Sequence, residues 1–274
     1  MDDAAKNAAW RSLGMTIAKP LRFLLVASAV VAARAPLGQS VPCVPFQPGE
    51  RFEYAVHVAR MGASGRGAMW IEDTPAMVRG SSTLVLRFET AAGVGPVRGS
   101  DRTASWLDID RMASLRFVKH ERHLLSTRDD SVEMFAETRR WSAADGTGGE
   151  SPSGAPLDEL SFIYFLRTLP LADTTYHAYI RHFDAERNPA TIRVLRRDTL
   201  RTSAGTFATI LVELRVHDPR HYHGEGVIRI NLSDDVRRIP VRIESRMPVF
   251  GVTVLTLQSF VMPTASDSRA ARSE

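Results

Sequence analysis

Three histidines within seven residues, His217, His221 and His223 in the stretch VHDPRHYHGEGV, form the tightest group of metal-capable side chains in the sequence. Neutral imidazoles bind zinc at about 2.0–2.1 Å, and the neighbouring Asp218 and Glu225 could add oxygen ligands. Two residues apart, His221 and His223 point to one side if the segment is a strand. Such a set would suit a metal-dependent hydrolase. Its spacing lacks the His-Glu-x-x-His pattern of zinc enzymes, and a hairpin rim of solvated His and Tyr ahead of Gly224 accounts for the same residues. His120 and His123 make a looser pair, on what reads as an exposed strand end with Lys119, Glu121 and Arg122.

Paired carboxylates could do acid–base work. Asp108 and Asp110 flank Ile109 and would share a strand face, while Asp129-Asp130 and Asp234-Asp235 read as turn residues, where Asp caps backbone N–H groups. No Gly-x-Ser-x-Gly elbow occurs. The single cysteine, Cys43, rules out an internal disulfide and lies too near the N-terminus to suggest a nucleophile. GASGRG at 62–67 lacks the Lys-Ser/Thr ending of a phosphate loop and reads as a hairpin turn. No catalytic residue and no cofactor site is assigned. Arginine supplies 32 of the 35 basic residues. Arg139-Arg140, Arg196-Arg197 and Arg237-Arg238 could meet anions, although Arg alternating with Glu on outward sheet faces explains them as cross-strand pairs.

The elements that would position these groups are strands. Phe52, Tyr54, Val56 and Val58 alternate with polar or small residues. So do Leu84, Leu86 and Phe88; Ile192 and Val194; Ile228, Ile230 and Leu232; and Ile239, Val241 and Ile243. Period two puts one face on a core and the other in water, the pattern of antiparallel sheet. Eleven to thirteen strands are expected, with 207–216 buried on both faces. One segment differs: after a Gly/Ser/Pro-rich linker at 145–156, residues 157–169 (LDELSFIYFLRTL) carry helical spacing, with Asp158 and Glu159 at the positive end and Pro170 as a stop. The predicted fold is a single antiparallel, strongly curved sheet or open β-barrel with one short covering helix, about 157–169.

Residues 20–33 (PLRFLLVASAVVAA) follow Lys19 and have the form of a secretory leader, which implies export to the periplasm or cell envelope. The run is short for a membrane span. The start is either Met1 or Met15, and cleavage after Ala35 or Ser40 fits the small-residue rule. Residues 1–40 are therefore expected to be the leader, with an uncleaved N-terminal anchor as the alternative, 46–262 one β-rich domain, and 263–274 a polar, disordered tail. Five basic and two acidic residues fall within 1–35, leaving 30 basic against 29 acidic in the remainder. So balanced a body gives no reason to expect nucleic-acid binding.

Residues 224–245 (GEGVIRINLSDDVRRIPVRIES) resemble the C-terminal hairpin of a bacterial family of exported proteins, domain-of-unknown-function family 3108. The similarity runs through Leu232-Ser233-Asp234-Asp235 and Arg238-Ile239-Pro240-Val241. Pro48 to Tyr54 is similar to the family's opening strand, Leu157 to Arg167 to its central helix, and Thr202 to Phe207 to its late turn. An aromatic residue expected before the Leu-Ser-Asp-Asp turn is replaced by Ile230 and Asn231. The resemblance implies an exported, mostly β protein and no particular reaction. Together these readings point to a non-enzymatic envelope protein whose inner sheet face, lined by Phe, Leu, Ile and Trp, binds an apolar or lipid-like ligand or a segment of an envelope protein partner. The competing readings are the metal-dependent hydrolase on His217, His221 and His223, and a structural interaction module using exposed sheet edges.

Overall fold

In a computed structural model of the chain, the residues described are 44–59, 62–123, 126–218, 224–247 and 251–263. The alternating segments are strands: β1 (Arg51–Val58), β2 (Ala63–Ile71), β3 (Ala76–Val78), β4 (Ser81–Val94), β5 (Val97–Asp108), β6 (Ala113–His123), β7 (Ser126–Phe135), β8 (Arg140–Ala143) and β9 (Gly148–Glu150). After the helix α1 (Glu159–Arg167) come β10 (Tyr176–Tyr179), β11 (Ala190–Thr202), β12 (Gly205–Asp218), β13 (Gly224–Ser233), β14 (Pro240–Met247) and β15 (Gly251–Val261).

All fifteen strands belong to one antiparallel sheet, ordered β10-β11-β12-β13-β14-β15-β1-β2-β4-β5-β6-β7-β8-β9, with β3 beside β4. Most neighbours in the sheet are consecutive in the chain, but β2 pairs β4, β9 and β10 are the two edges, and β15 pairs β1, which brings the C-terminal part of the sheet beside the first strand. The sheet does not close into a barrel. Its edges, β9 and β10, are three and four residues long, too short to template much pairing with another chain. It nevertheless curls: Ser203, in the β11–β12 hairpin, donates to Gln258 Oε1 of β15 at 2.9 Å, and the Phe207 and Phe260 rings are 6.2 Å apart.

The chain from one edge to the other carries α1. It leaves β9, is pinned where Ser114 N–H donates to Pro156 C=O at 2.8 Å, and pairs with the far edge through Leu157 N–H to Arg181 C=O (2.6 Å) and Phe183 N–H to Leu157 C=O (3.1 Å). The stretch 145–156 is thus not a free linker. It contains β9 and straps the open side of the sheet. Residues 160–167 are all buried, and their apolar members join one core with Phe52, Tyr54, Met69, Leu86, Leu107, Ile192, Val212, Ile230, Val241 and Leu257. Burying an apolar side chain of this size contributes about 1.5–3 kcal/mol, so the helix and the inner face need each other.

Four further expectations are corrected. Fifteen strands form, not eleven to thirteen. Residues 63–67 of the GASGRG stretch lie in β2 rather than in a hairpin turn. Asp129 and Asp130 lie within β7 rather than in a turn. Trp70 and Trp106 are on the outer face, where Arg51 covers the first at 4.5 Å and Arg87 and Arg116 flank the second. Cation–π contact stabilises both indole rings, and Trp106 also packs on the small buried cluster of Val78, Leu115 and Ala136. Elsewhere on that face the Arg/Glu alternation works as cross-strand pairing: Glu213 opposes Arg229, which in turn opposes Glu244.

Candidate functional site

The inner face has two parts with different chemistry. The first is sealed by α1 and held by polar groups at both helix ends. At the N-terminus, Asp158 is the cap: its Oδ1 accepts from the N–H groups of Leu160 and Ser161, both at 2.9 Å, and its Oδ2 from Ser105 Oγ at 2.6 Å. Ser161 Oγ returns a bond with the Asp158 N–H and accepts from Ser114 Oγ at 2.7 Å. The first turn is therefore sewn to β5 and β6. At the C-terminus, Arg167 and Glu50 form a fully buried ion pair, with both side chains at 0% exposure. Arg167 Nη2 reaches Glu50 Oε2 at 3.0 Å and also donates to the carbonyls of Pro45 and Arg237. The rings of Phe46, Phe52 and Tyr164 surround its guanidinium at 5.2–5.4 Å.

Burial pushes the Glu50 carboxyl up, against the pull of Arg167. Burial likewise pushes Asp158 up, against the hydrogen bonds from Ser105 and the Ser161 N–H. Raised carboxyls often mark catalytic acids. Here each carboxylate oxygen is already committed to a protein donor and neither group meets open space, so both act as fasteners.

The second part is the continuation of the inner face over β5, β6 and β7. Ser105 faces the helix, so Thr103 and Asp101 share its side of β5. Phe117 opposes Ser105, which places Lys119, Glu121 and His123 on the same side of β6. Arg128 opposes Glu121, and Asp130 opposes Lys119. Beyond the buried Phe117, Val132 and Met134, this inward surface is charged rather than apolar. His123 Nε2 stands 3.0 Å from Asp101 Oδ1, and Lys119 Nζ 2.5 Å from Glu121 Oε1. Burial pushes Asp101 up, against the His123 and Lys119 charges. Burial also opposes ionisation of Glu121, yet Lys119 and Arg128 hold it below the usual carboxylate range.

Of the predicted metal ligands, His217 lies one residue before the end of β12, with an exposed side chain opposite Glu225. His221 and His223 lie outside the described residues, as do Cys43 and the leader. The structure separates His120 from His123: His120 faces outward onto Asp129 at 2.6 Å, and His123 faces inward. Asp108 is buried and caps the following turn through the Arg111 N–H at 3.1 Å. It does not share a strand face with Asp110, because β5 ends at Asp108. Asp235 likewise caps the β13–β14 turn, accepting from the Arg237 N–H and Ser233 Oγ. The grouping of Asp101 with Glu121 and His123 was missed in the sequence. Strand pairing makes it, across some twenty residues, and the alternation Lys119-x-Glu121-x-His123 was its only local trace.

The model of the family described as "Protein of unknown function (DUF3108)" matches residues 53–258. No curated protein is similar enough in sequence to count as a match. Among solved structures, a β-barrel-like protein of the domain of unknown function DUF1849 from Brucella abortus overlays with a TM-score of 0.54. It has 13% identity and covers 81% of this chain and 100% of its own. That likeness shows the fold. A candidate lipoprotein from Parabacteroides distasonis (TM-score 0.31, 10% identity, 80% of this chain and 97% of that one) is a more distant overlay. A candidate exported protein with a YmcC-like fold from Bacteroides fragilis (0.30, 12%, 80% and 98%) is at the same distance.

Proposed function

Because the chain belongs to DUF3108, a family of proteins of unknown function, we propose from its own residues that it is an exported, non-enzymatic binding protein of the cell envelope. Residues 1–40 serve as its leader, and the inner sheet face takes an apolar or lipid-like chain or an apolar segment of an envelope protein. The observation that carries this reading is the incomplete seal on that face. Phe88, Val216 and Ile228 continue the inward rows of β4, β12 and β13 yet are left half-buried at the margin of the core that α1 covers. An inward apolar row that runs past its cover is what a ligand or a partner's side chains would complete.

Native mass spectrometry of the processed protein purified from its own envelope tests this. The expected result is an adduct that organic extraction removes and that a half-face substitution, Val216→Glu, prevents. A bare polypeptide mass, together with no retention of a fluorescent fatty-acid probe and no cross-linked envelope protein in cells, overturns it.

A further inference from the structure

We propose that the C-terminal end of α1 is a binding site for one uncharged oxygen acceptor, taken from water or from the carbonyl of a bound apolar ligand, which the Tyr164 hydroxyl and the Arg167 Nε–H hold together. Tyr164 is fully buried, at 0% exposure, and so is Arg167. Tyr164 Oη and Arg167 Nε nevertheless have no hydrogen-bond partner in the protein. A buried donor left unbonded forfeits its whole hydration, which is why nearly all such groups in folded proteins have a partner.

The two donors belong together. Three residues apart on α1, they lie on one face of the helix, and the guanidinium stands 5.2 Å from the centre of the Tyr164 ring. Burial pushes the Tyr164 hydroxyl well above its ordinary range, so it remains an O–H donor. Charge then decides what they hold. Glu50 and Arg167 already cancel each other. An added anion would leave an uncompensated negative charge in the core, and a cation would be repelled by the guanidinium. A neutral oxygen satisfies both donors without either cost. The Glu50 carboxylate and the carbonyls of Pro45 and Arg237 border the same guanidinium, so a water here also finds acceptors for its own hydrogens, as buried waters require. A ligand's carbonyl is the second source, and that arm rests on the binding reading above. Phe88, at the margin of the core, lies opposite Met69, and Met69 opposite Phe52. The row crosses two strand spacings, about 10 Å, and ends where the Phe52 ring stands 5.4 Å from the Arg167 guanidinium.

Processed protein, stripped of lipid by organic extraction, tests the site and separates the two sources. Tyr164→Phe removes one donor and keeps the ring. With water as the acceptor, the variant's unfolding equilibrium constant is expected to rise about fivefold, the worth of one hydrogen bond. The Arg167 Nε–H resonance of isotope-labelled wild type is then expected to receive magnetisation from a bound water. With a ligand carbonyl as the acceptor, wild type is expected to bind methyl laurate more tightly than dodecane, and the ester to move that resonance. Tyr164→Phe should then lose about fivefold in affinity for the ester and none for the alkane. A variant that equals or exceeds wild type in stability and also keeps the full preference for the ester overturns the proposal, because the hydroxyl is then unbonded. If neither probe binds wild type but the variant still loses its fivefold in stability, the site stands on water and the binding reading falls alone.

Discussion

The half of the inner face beneath α1 and the half over β5–β7 come from the same kind of strand, yet one is sealed and fastened while the other is charged and accessible. Where the helix covers the sheet, most inward positions are apolar, and the cap and the ion pair at the helix ends are hydrogen-bonded within the protein, although Tyr164 Oη and Arg167 Nε find no partner there. Asp158 has three donors, and Glu50 has the fork of Arg167. Over β5–β7 the same inward register carries Asp101, Lys119, Glu121 and His123, all partly exposed. The difference follows from what lies opposite. A residue facing an apolar helix is selected for burial, and one facing water is free to carry charge. The covered half thus holds its few polar groups as fasteners at the helix ends, and the other half leaves its charges within reach of water.

The largest effect should come from removing the fastener at the helix C-terminus. Arg167→Met leaves the Glu50 carboxylate buried without a partner and should cost about 3–5 kcal/mol in denaturant unfolding. Replacing both, as Glu50→Leu with Arg167→Met, should recover most of that loss, because an apolar pair fits among Phe46, Phe52 and Tyr164. A single variant that loses less than about 1 kcal/mol would erase the contrast between the halves. Next comes the N-terminal cap. Asp158→Ala removes the acceptor for two N–H groups and for Ser105, and should cost about 2 kcal/mol. Asp158→Asn keeps an acceptor oxygen at the cap and should cost clearly less. Equal losses for the two would mean that Asp158 holds the helix by charge rather than by capping.

The covered half was largely legible in the sequence, and the uncovered half was not. Alternation in β1, β4, β13 and β14 assigned the inward residues, and the spacing of Leu160, Ile163, Tyr164 and Leu166 located α1 within two residues at either end. Local periodicity and capping chemistry carry that information. The Glu50–Arg167 pair was hidden because its members are 117 residues apart and look like any surface charges until the fold closes over them. The Asp101–Glu121–His123 group was hidden for a related reason. Only the β5–β6 register decides which charges meet, and a slip of one residue would have put Glu121 and His123 on the face opposite Asp101. The tryptophans misled by type: large aromatic rings suggested the inner face, whereas stacked arginines hold Trp70 and Trp106 outside. The Gly/Ser-rich stretch 145–156 misled by composition, because the backbone hydrogen bonds of Pro156 to β6 and of the next residue, Leu157, to Arg181 and Phe183 are invisible in side-chain identity.

On the uncovered half, stability should barely respond. Glu121→Gln or Lys119→Gln should shift unfolding by no more than about 1 kcal/mol, since partly exposed pairs contribute little once water screens them. A loss comparable with that of Arg167→Met would show that the charged half is a fastener too, and that the two halves differ in composition only. The smallest effect is one of pH. On the outer face of β7, Asp129 accepts from the Arg122 guanidinium and from His120, and these bonds, Arg122's foremost, hold its carboxyl down to about 2. An unfolded Asp titrates near 3.9, so the folded chain holds fewer protons at this group between the two values. Its contribution is complete above pH ~4 and disappears as pH falls toward 2. The denaturation midpoint of wild type should therefore exceed that of Asp129→Asn slightly at pH 6, and the two should converge as the pH is lowered through that window. A gap that stays constant from pH 6 to pH 2.5 would mean that the Arg122–Asp129 pair adds nothing in water, leaving β7 held by its backbone ladder alone.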